Sequence, residues 1–318
     1  MDKRSRTKLR LAAWYAGAGL VTLALLLWFE SFPNIWEWLP FAIAFIYLEW
    51  RSVEVNDRML MSPTMMVALT AVVVFGRGSA ALGVATMAAL ALFTPADIRE
   101  RRWFQPAVNF GQIVVTTSAS AFILEMFLPP VVTPKSLTGI AMGAALAAVV
   151  YSAVNYTLVR HIVKTAYGQR DVRPWSGLSQ LLVPHVTMGF VGGLLGATYH
   201  IVGPVTLPMI FVVFAVGYLT FSSYGQLREA HEATIRGFIK ALEAKDLYTR
   251  GHTERVAYFA QLVGEELGYR GTRLERLRIA ALIHDVGKLA VPRDLIRKSG
   301  RLSDAEYAEM QRHAHMVE

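Results

Sequence analysis

Long apolar runs fill residues 9 to about 224, separated by short breaks rich in Arg, Lys, Pro or Gly. From 225 onward the pattern changes, and charged residues interleave with apolar ones throughout. Crossing the hydrocarbon core of a bilayer takes about 20 mainly apolar helical residues. Eight runs approach that length: 11–31, 35–50, 60–76, 78–94, 106–128, 137–159, 178–201 and 205–223. The first is too long, and too poorly followed by small residues, to be a removed leader, so it is read as a permanent span. In the tail, Val256, Phe259, Ala260 and Val263 recur at helical spacing, as do Leu274, Leu277, Ala281 and Leu282. No alternating strand pattern of useful length interrupts them. The predicted fold class is all-α: a polytopic helical membrane domain over 1–224, then a helical soluble tail.

Residues 222–245 read "SSYGQLREAHEATIRGFIKALEAK". Leu227, Ala230, Thr234, Phe238 and Leu242 share one seam, and Gly237 weakens an otherwise uninterrupted helix. Residues 225–240 are therefore expected to form a connecting helix. It either packs on the tail domain or transmits a signal across a homodimer seam, though fewer than three heptads are present.

Composition and charge sharpen this division. The chain is 54% hydrophobic and 18% charged, against about a quarter charged in soluble domains. Its net charge of +8 sits at the N-terminus and in short loops, so it is read as a topology signal rather than a nucleic-acid surface. A cytoplasmic N-terminus places Lys3, Arg4, Arg6, Lys8, Arg10, Arg51, Arg58, Arg99, Arg101, Arg102, Arg160, Lys164, Arg170 and Arg173 on one side. Only Arg77 and Lys135 fall on the other, and eight spans return the tail to the cytoplasm. With no cysteine, disulfides and thiolate metal sites are excluded.

Polar residues inside the spans are Asn109, Gln112, Thr116, Thr117, Asn155 and His185. They are read as bonds between helices or, more sharply, as a ligand pocket with His185 as its ionisable group. No paired carboxylates lie within a span, which disfavours an ion-coupled transporter. The small-residue run "GGLLGA" at 192–197 suits close helix packing.

The densest chemistry lies in "AALIHDVGKLAVP", residues 280–292. An apolar helix runs into His284, Asp285 and Lys288, an unusual place for an exposed polar pair. Adjacent His and Asp offer two metal ligands, and a sulfur-free set suits Fe, Mn, Co, Ni or Zn. His252 and His313 add nitrogen donors 32 positions before and 29 after His284. Lys288, four residues on, is expected on the same helical face as His284, where its cation would meet a phosphate oxygen. Gly287 keeps the backbone open, and Pro292 is expected to stop the helix.

The words "KDLYTRGHTERVA", "AALIHDVGKLAVP" and "LIRKSGRLSDAEYAEMQRH" resemble the first half of an HD-GYP domain over 241–315. That family is the cyclic-di-GMP phosphodiesterase branch of the HD superfamily. The resemblance implies a helical HD-type domain over 241–318 with a centre of divalent metals, iron or manganese favoured. It implies His252, His284, Asp285 and His313 as metal ligands, Asp285 and Lys288 as catalytic, and Lys288 facing the scissile phosphate. Some members carry a glutamate where this chain has Tyr248, which points to two metals rather than three. The implied reaction converts cyclic-di-GMP to linear pGpG, or to GMP, and the implied setting is a bacterial inner membrane. The family's second half, with a paired histidine, a further aspartate and a Gly-Tyr-Pro loop, does not occur in these residues. The chain is accordingly expected to be a truncated, inactive part of a membrane-anchored signalling phosphodiesterase. Alternative readings are an HD phosphohydrolase acting on another nucleotide, or a non-catalytic membrane receptor that binds partners through the half-domain.

Overall fold

Capping side chains and glycines with positive φ punctuate the apolar runs into helices. The Asn34 side chain accepts from the amide of Trp36 at 3.0 Å and starts the helix Ile35–Trp50. Gly76 (φ 74°) and Gly168 (φ 66°) end Thr64–Phe75 and Leu137–Tyr167 in a backbone region that side chains rarely adopt. The structure is a computed structural model that describes residues 3–51, 53–56, 59–61, 63–92, 94, 97, 99–100, 102–168, 176–245 and 251–317. It divides into two units, Met1–Ser223 and Tyr224–Glu318.

In chain order the first unit contains α1 (Lys3–Phe29), α2 (Ile35–Trp50), α3 (Thr64–Phe75), α4 (Ala80–Leu90), α5 (Phe104–Glu125), α6 (Leu137–Tyr167) and α7 (Ser176–Val202). α8 (Leu207–Lys245) begins in this unit and continues into the second. Among the described residues, four segments are long and apolar enough to cross a membrane: Ser5–Phe29, Phe104–Glu125, Pro134–Tyr167 and Pro204–Ala241.

The all-helical class holds, with two local departures from eight uninterrupted spans. First, Val53–Asn56 and Met59–Met61 pair as a short antiparallel hairpin, with Val53 opposite Met61. The alternation of Val with Glu and Asn in "VEVN" has the period of a strand, and its partner strand Met59–Met61 merges into the apolar run that begins at residue 60. Second, α3 and α4 hold only 12 and 11 residues, roughly 16–18 Å of helix against a core about 30 Å thick. Every residue of α3 from Thr64 to Val74 is buried. Apolarity on all sides thus marks an inner core helix here.

Small residues set how closely these helices approach. A Cβ at Gly192 of α7 would stand 2.7 Å from the Met66 carbonyl oxygen of α3, and one at Gly196 would stand 2.7 Å from that of Thr70. Gly111 of α5 lies against the Tyr15 carbonyl of α1 in the same manner. Gly192→Val should therefore push α7 off α3, at a cost of about 1–3 kcal/mol or more. Gly237→Ala on α8, with nothing within 4 Å, should be neutral or stabilising by up to about 1 kcal/mol. Thermal melts of the two variants in detergent would separate them, and equal melting would refute tight α3–α7 packing.

The polar residues of the bundle bond across helices. The Gln112 amide donates to Asn155 Oδ1, joining α5 to α6. Ser152 donates its hydroxyl to Ala148 O at 2.8 Å, so the 2.8 Å bond to His185 has the imidazole Nδ1–H as donor, joining α6 to α7. Asn109 stands exposed, outside this set.

The second unit continues with α9 (His252–Glu266), α10 (Gly271–Ile283), α11 (Arg293–Ile296) and α12 (Asp304–Gln311), together with 3-10 turns at Val286–Leu289 and Arg312–Val317. α9 and α10 pack as a pair: Gly264 faces Leu274 and Leu277, where a Cβ would come within 2.9 Å of both side chains. Ser303 caps α12 reciprocally with Glu306, and Lys298 Nζ donates to both Glu306 oxygens at 2.6 and 2.7 Å. Lys298, aided by the Ser303 amide and hydroxyl, pulls the Glu306 carboxyl from 4.5 down to about 2. A depressed carboxyl stabilises the fold above its ordinary pKa and loses that contribution as pH falls through the folded value. The cap should therefore loosen between pH 4.5 and about 2. Lys298→Gln should move the Glu306 titration, followed by carboxyl NMR, upward; an unmoved midpoint would contradict the assigned cause.

Candidate metal centre

α10 ends at Ile283, one residue before the polar cluster. His284 caps it, Asp285 takes a φ of −99° and a ψ of 3°, and Val286–Leu289 tightens into a 3-10 turn. The sequence had placed His284 and Lys288 on one face of a continuous helix ended by Pro292. Instead the narrower turn, with about three residues per winding, brings Lys288 back over Asp285, three positions earlier. Its Nζ lies 2.7 Å from Asp285 Oδ2. Pro292 serves as the N-cap of α11, consistent with its fixed φ and missing amide proton.

Asp285 is the hub of the cluster and only 5% exposed. His284 Nε2 lies 3.4 Å from its Oδ2, and His313 Nε2 lies 3.7 Å from its Oδ1. His252, the first residue of α9, completes a group with His284 and Asp285 whose candidate ligand atoms all lie within 4.8 Å of one another. The His252 and His284 rings meet edge to face at 6.0 Å. The structure thus brings all five sequence-selected residues into one neighbourhood around Asp285. Tyr248 lies outside the described residues.

Two backbone carbonyls orient the imidazoles. His284 Nδ1 lies 2.8 Å from Ala281 O, and His313 Nδ1 bonds to Met310 O. A carbonyl can only accept, so each Nδ1 carries a proton, and in the neutral ring Nε2 is the atom left to bind a metal on the side of Asp285. Metal-ligating histidines are held by such outer contacts. Gly287 accounts for the approach of the last element: a Cβ there would fall on the His313 carbonyl oxygen. The Thr253 hydroxyl, next to His252, is buried with no hydrogen-bond partner among the described residues. Imidazole nitrogens beside a buried carboxylate form a donor set that fits a divalent cation of intermediate hardness.

The carbonyl orienters and the Gly287–His313 contact escaped sequence reasoning. A carbonyl carries no residue identity, and Gly287 signalled only open backbone without naming what fills it.

Comparison with known proteins bears on the same segment. The HD domain family model matches residues 249–318. The chain is 40% identical over 87 residues to 3′3′-cGAMP-specific phosphodiesterase 3 of Vibrio cholerae, covering 27% of this chain and 19% of that protein. It is 33% identical over 92 residues to the cyclic di-GMP phosphodiesterase response regulator RpfG of Xanthomonas campestris, covering 29% and 24%. A cyclic di-GMP phosphodiesterase of Thermotoga maritima is 34% identical over 71 residues, covering 22% and 19%. The chain therefore spans about a fifth to a quarter of the length of these relatives. No solved structure matches it. Residues 249–318 carry HD-domain sequence, and the resemblance to HD-GYP phosphodiesterases holds over this part of the chain.

Proposed function

We propose that this chain belongs to a metal-dependent phosphodiesterase, anchored in a bacterial inner membrane, that hydrolyses cyclic di-GMP to linear pGpG. The observation that carries the reading is the convergence of His252, His284, His313 and Lys288 on buried Asp285, within a segment that matches the HD domain.

In this reading His252, His284, Asp285 and His313 hold two divalent ions, iron or manganese. Bound there, the metals supply Lewis acidity and bring the ionisation of a water toward neutral pH. The chain's own groups do the rest. Ala281 O and Met310 O keep both imidazoles in the ligand tautomer. The Lys288 ammonium, which donates to Asp285, is the cation that would offset charge developing at phosphorus.

Residues 1–224 serve as a sensory membrane domain with both termini in the cytoplasm, and 225–240 link it to the catalytic segment, 241–318. The four long apolar segments support the bilayer reading. So do Trp28, Phe29 and Trp36, more than three-quarters exposed around the α1–α2 junction, where aromatic residues suit a membrane interface. Leu227 and Phe238, exposed on α8, give the linking helix an apolar stripe for a homodimer.

A second reading, 3′3′-cGAMP as the preferred substrate, is favoured by the 40%-identical relative of that specificity. The test is to purify the full native gene product, load it with Mn²⁺ or Fe²⁺, and resolve products from each cyclic dinucleotide by chromatography. Appearance of pGpG supports the proposal, and turnover of 3′3′-cGAMP alone selects the second reading. Metal-loaded protein that leaves both substrates intact would refute both.

A further inference from the structure

A cavity of about 320 Å³ opens among the loops of the first unit, far in sequence from the HD segment. It sits between the turn after α3, the loop between α5 and α6, and the last residues of α7. Its volume falls at the small end of the range for ligand sites, about 300–1,000 Å³. Val73, Leu128, Pro130 and Val132 supply apolar walls, and the polar side chains are Arg77 and His200.

Both polar groups are fixed by the backbone on one edge and free on the other. Arg77 Nε donates to the Glu125 carbonyl at 3.2 Å, and no carboxylate pairs with its guanidinium among the described residues. Glu125 and Glu30 direct their carboxylates at the N-terminus of α4. Glu125 Oε1 accepts from Ala81 N at 3.0 Å, and Glu30 Oε2 accepts from Leu82 N at 2.7 Å. That helix end favours negative charge and holds them there. His200 Nε2 donates to Val73 O at 2.7 Å, which leaves Nδ1 as the ring's second polar atom.

An uncompensated guanidinium and an imidazole beside a small apolar hollow select one chemistry. The geometry points to a binding site for an amphiphilic anion, a carboxylate or phosphate head on a short aliphatic body. The head meets Arg77 and His200 while the body covers Val73, Leu128 and Val132. Arg77 and Lys135 are the only basic residues at the charge-poor loops, so by the charge rule this cavity faces away from the cytoplasm. The site stands independently of the chemistry proposed for residues 249–318. A soluble acid or the headgroup of an anionic lipid could supply the ligand.

The experiment separates these sources. The protein is placed in phosphatidylcholine nanodiscs and titrated with hexanoate by calorimetry, with hexanamide as the neutral control. In parallel, phosphatidylglycerol retention is read by native mass spectrometry. Saturable hexanoate binding, absent with hexanamide and weakened at least about tenfold in Arg77→Gln, supports a soluble ligand. Retention of phosphatidylglycerol that is lost in Arg77→Gln, without hexanoate binding, supports the site with a lipid as its source. Arg77→Lys should keep part of the affinity, and an unchanged melting temperature establishes that each variant is folded. Binding of neither probe, or equal binding by wild type and Arg77→Gln, overturns the proposal.

Discussion

Gly287→Ala should cost the HD segment its metal affinity by about 10–100-fold, the range for disturbing the support of a ligand. The added Cβ would fall on the His313 carbonyl oxygen, with the His313 carbonyl carbon 2.8 Å and its Cα 3.0 Å away. A flexible side chain could turn aside, but a backbone carbonyl can yield only if the whole Arg312–Val317 turn moves. That movement withdraws His313 from Asp285 and costs about 1–3 kcal/mol in packing. Gly300→Ala, with nothing within 4 Å, is the matching control and should titrate with metal like the wild type. If Gly287→Ala binds metal as tightly as Gly300→Ala, His313 is not held by this contact.

Asp285→Ala should destabilise the metal-free segment by about 3 kcal/mol. Breaking a buried ion pair costs roughly 3–5 kcal/mol because it strands the partner charge. The lower end applies because the Lys288 side chain, 21% exposed, can recover some water. Hydrogen exchange at residues 284–290 reads this loss directly, since local opening becomes more frequent as stability falls. Adding Lys288→Met should restore part of the protection by removing the cation that has lost Asp285, a coupling that a double-mutant cycle isolates. Strictly additive effects would mean that the 2.7 Å contact between Lys288 and Asp285 contributes nothing.

The helices and the cluster were legible in the sequence to different depths. Helical periodicity located α9 and α10, although Phe259 and Val263 of the α9 seam stand exposed and Thr253, Ala257 and Gly264 form its buried side. The same reading overextended the runs at 60–76 and 78–94. Length and apolarity distinguish a span from a buried core helix poorly when neither face carries charge, and α3 is buried all round. The hairpin at Val53–Asn56 was hidden beside a longer apolar run. At the cluster, residue types and intervals were enough to select His252, His284, Asp285, Lys288 and His313. The helix break at Ile283, which decides that Lys288 faces Asp285, depends on how α10 ends and on the backbone contact at Gly287. Neither is written in a residue pattern. The cavity beside Arg77 was equally invisible, since its walls come from three separate loop regions.

The most direct measurement is the metal content of the purified full chain, reconstituted with Fe²⁺ or Mn²⁺ and analysed by inductively coupled plasma mass spectrometry beside His284→Ala. Bound metal in the wild type, falling to background in the variant, is the expected result. A wild type that takes up no metal, or a His284→Ala protein that holds as much as the wild type, would contradict a metal centre built on His284 and Asp285.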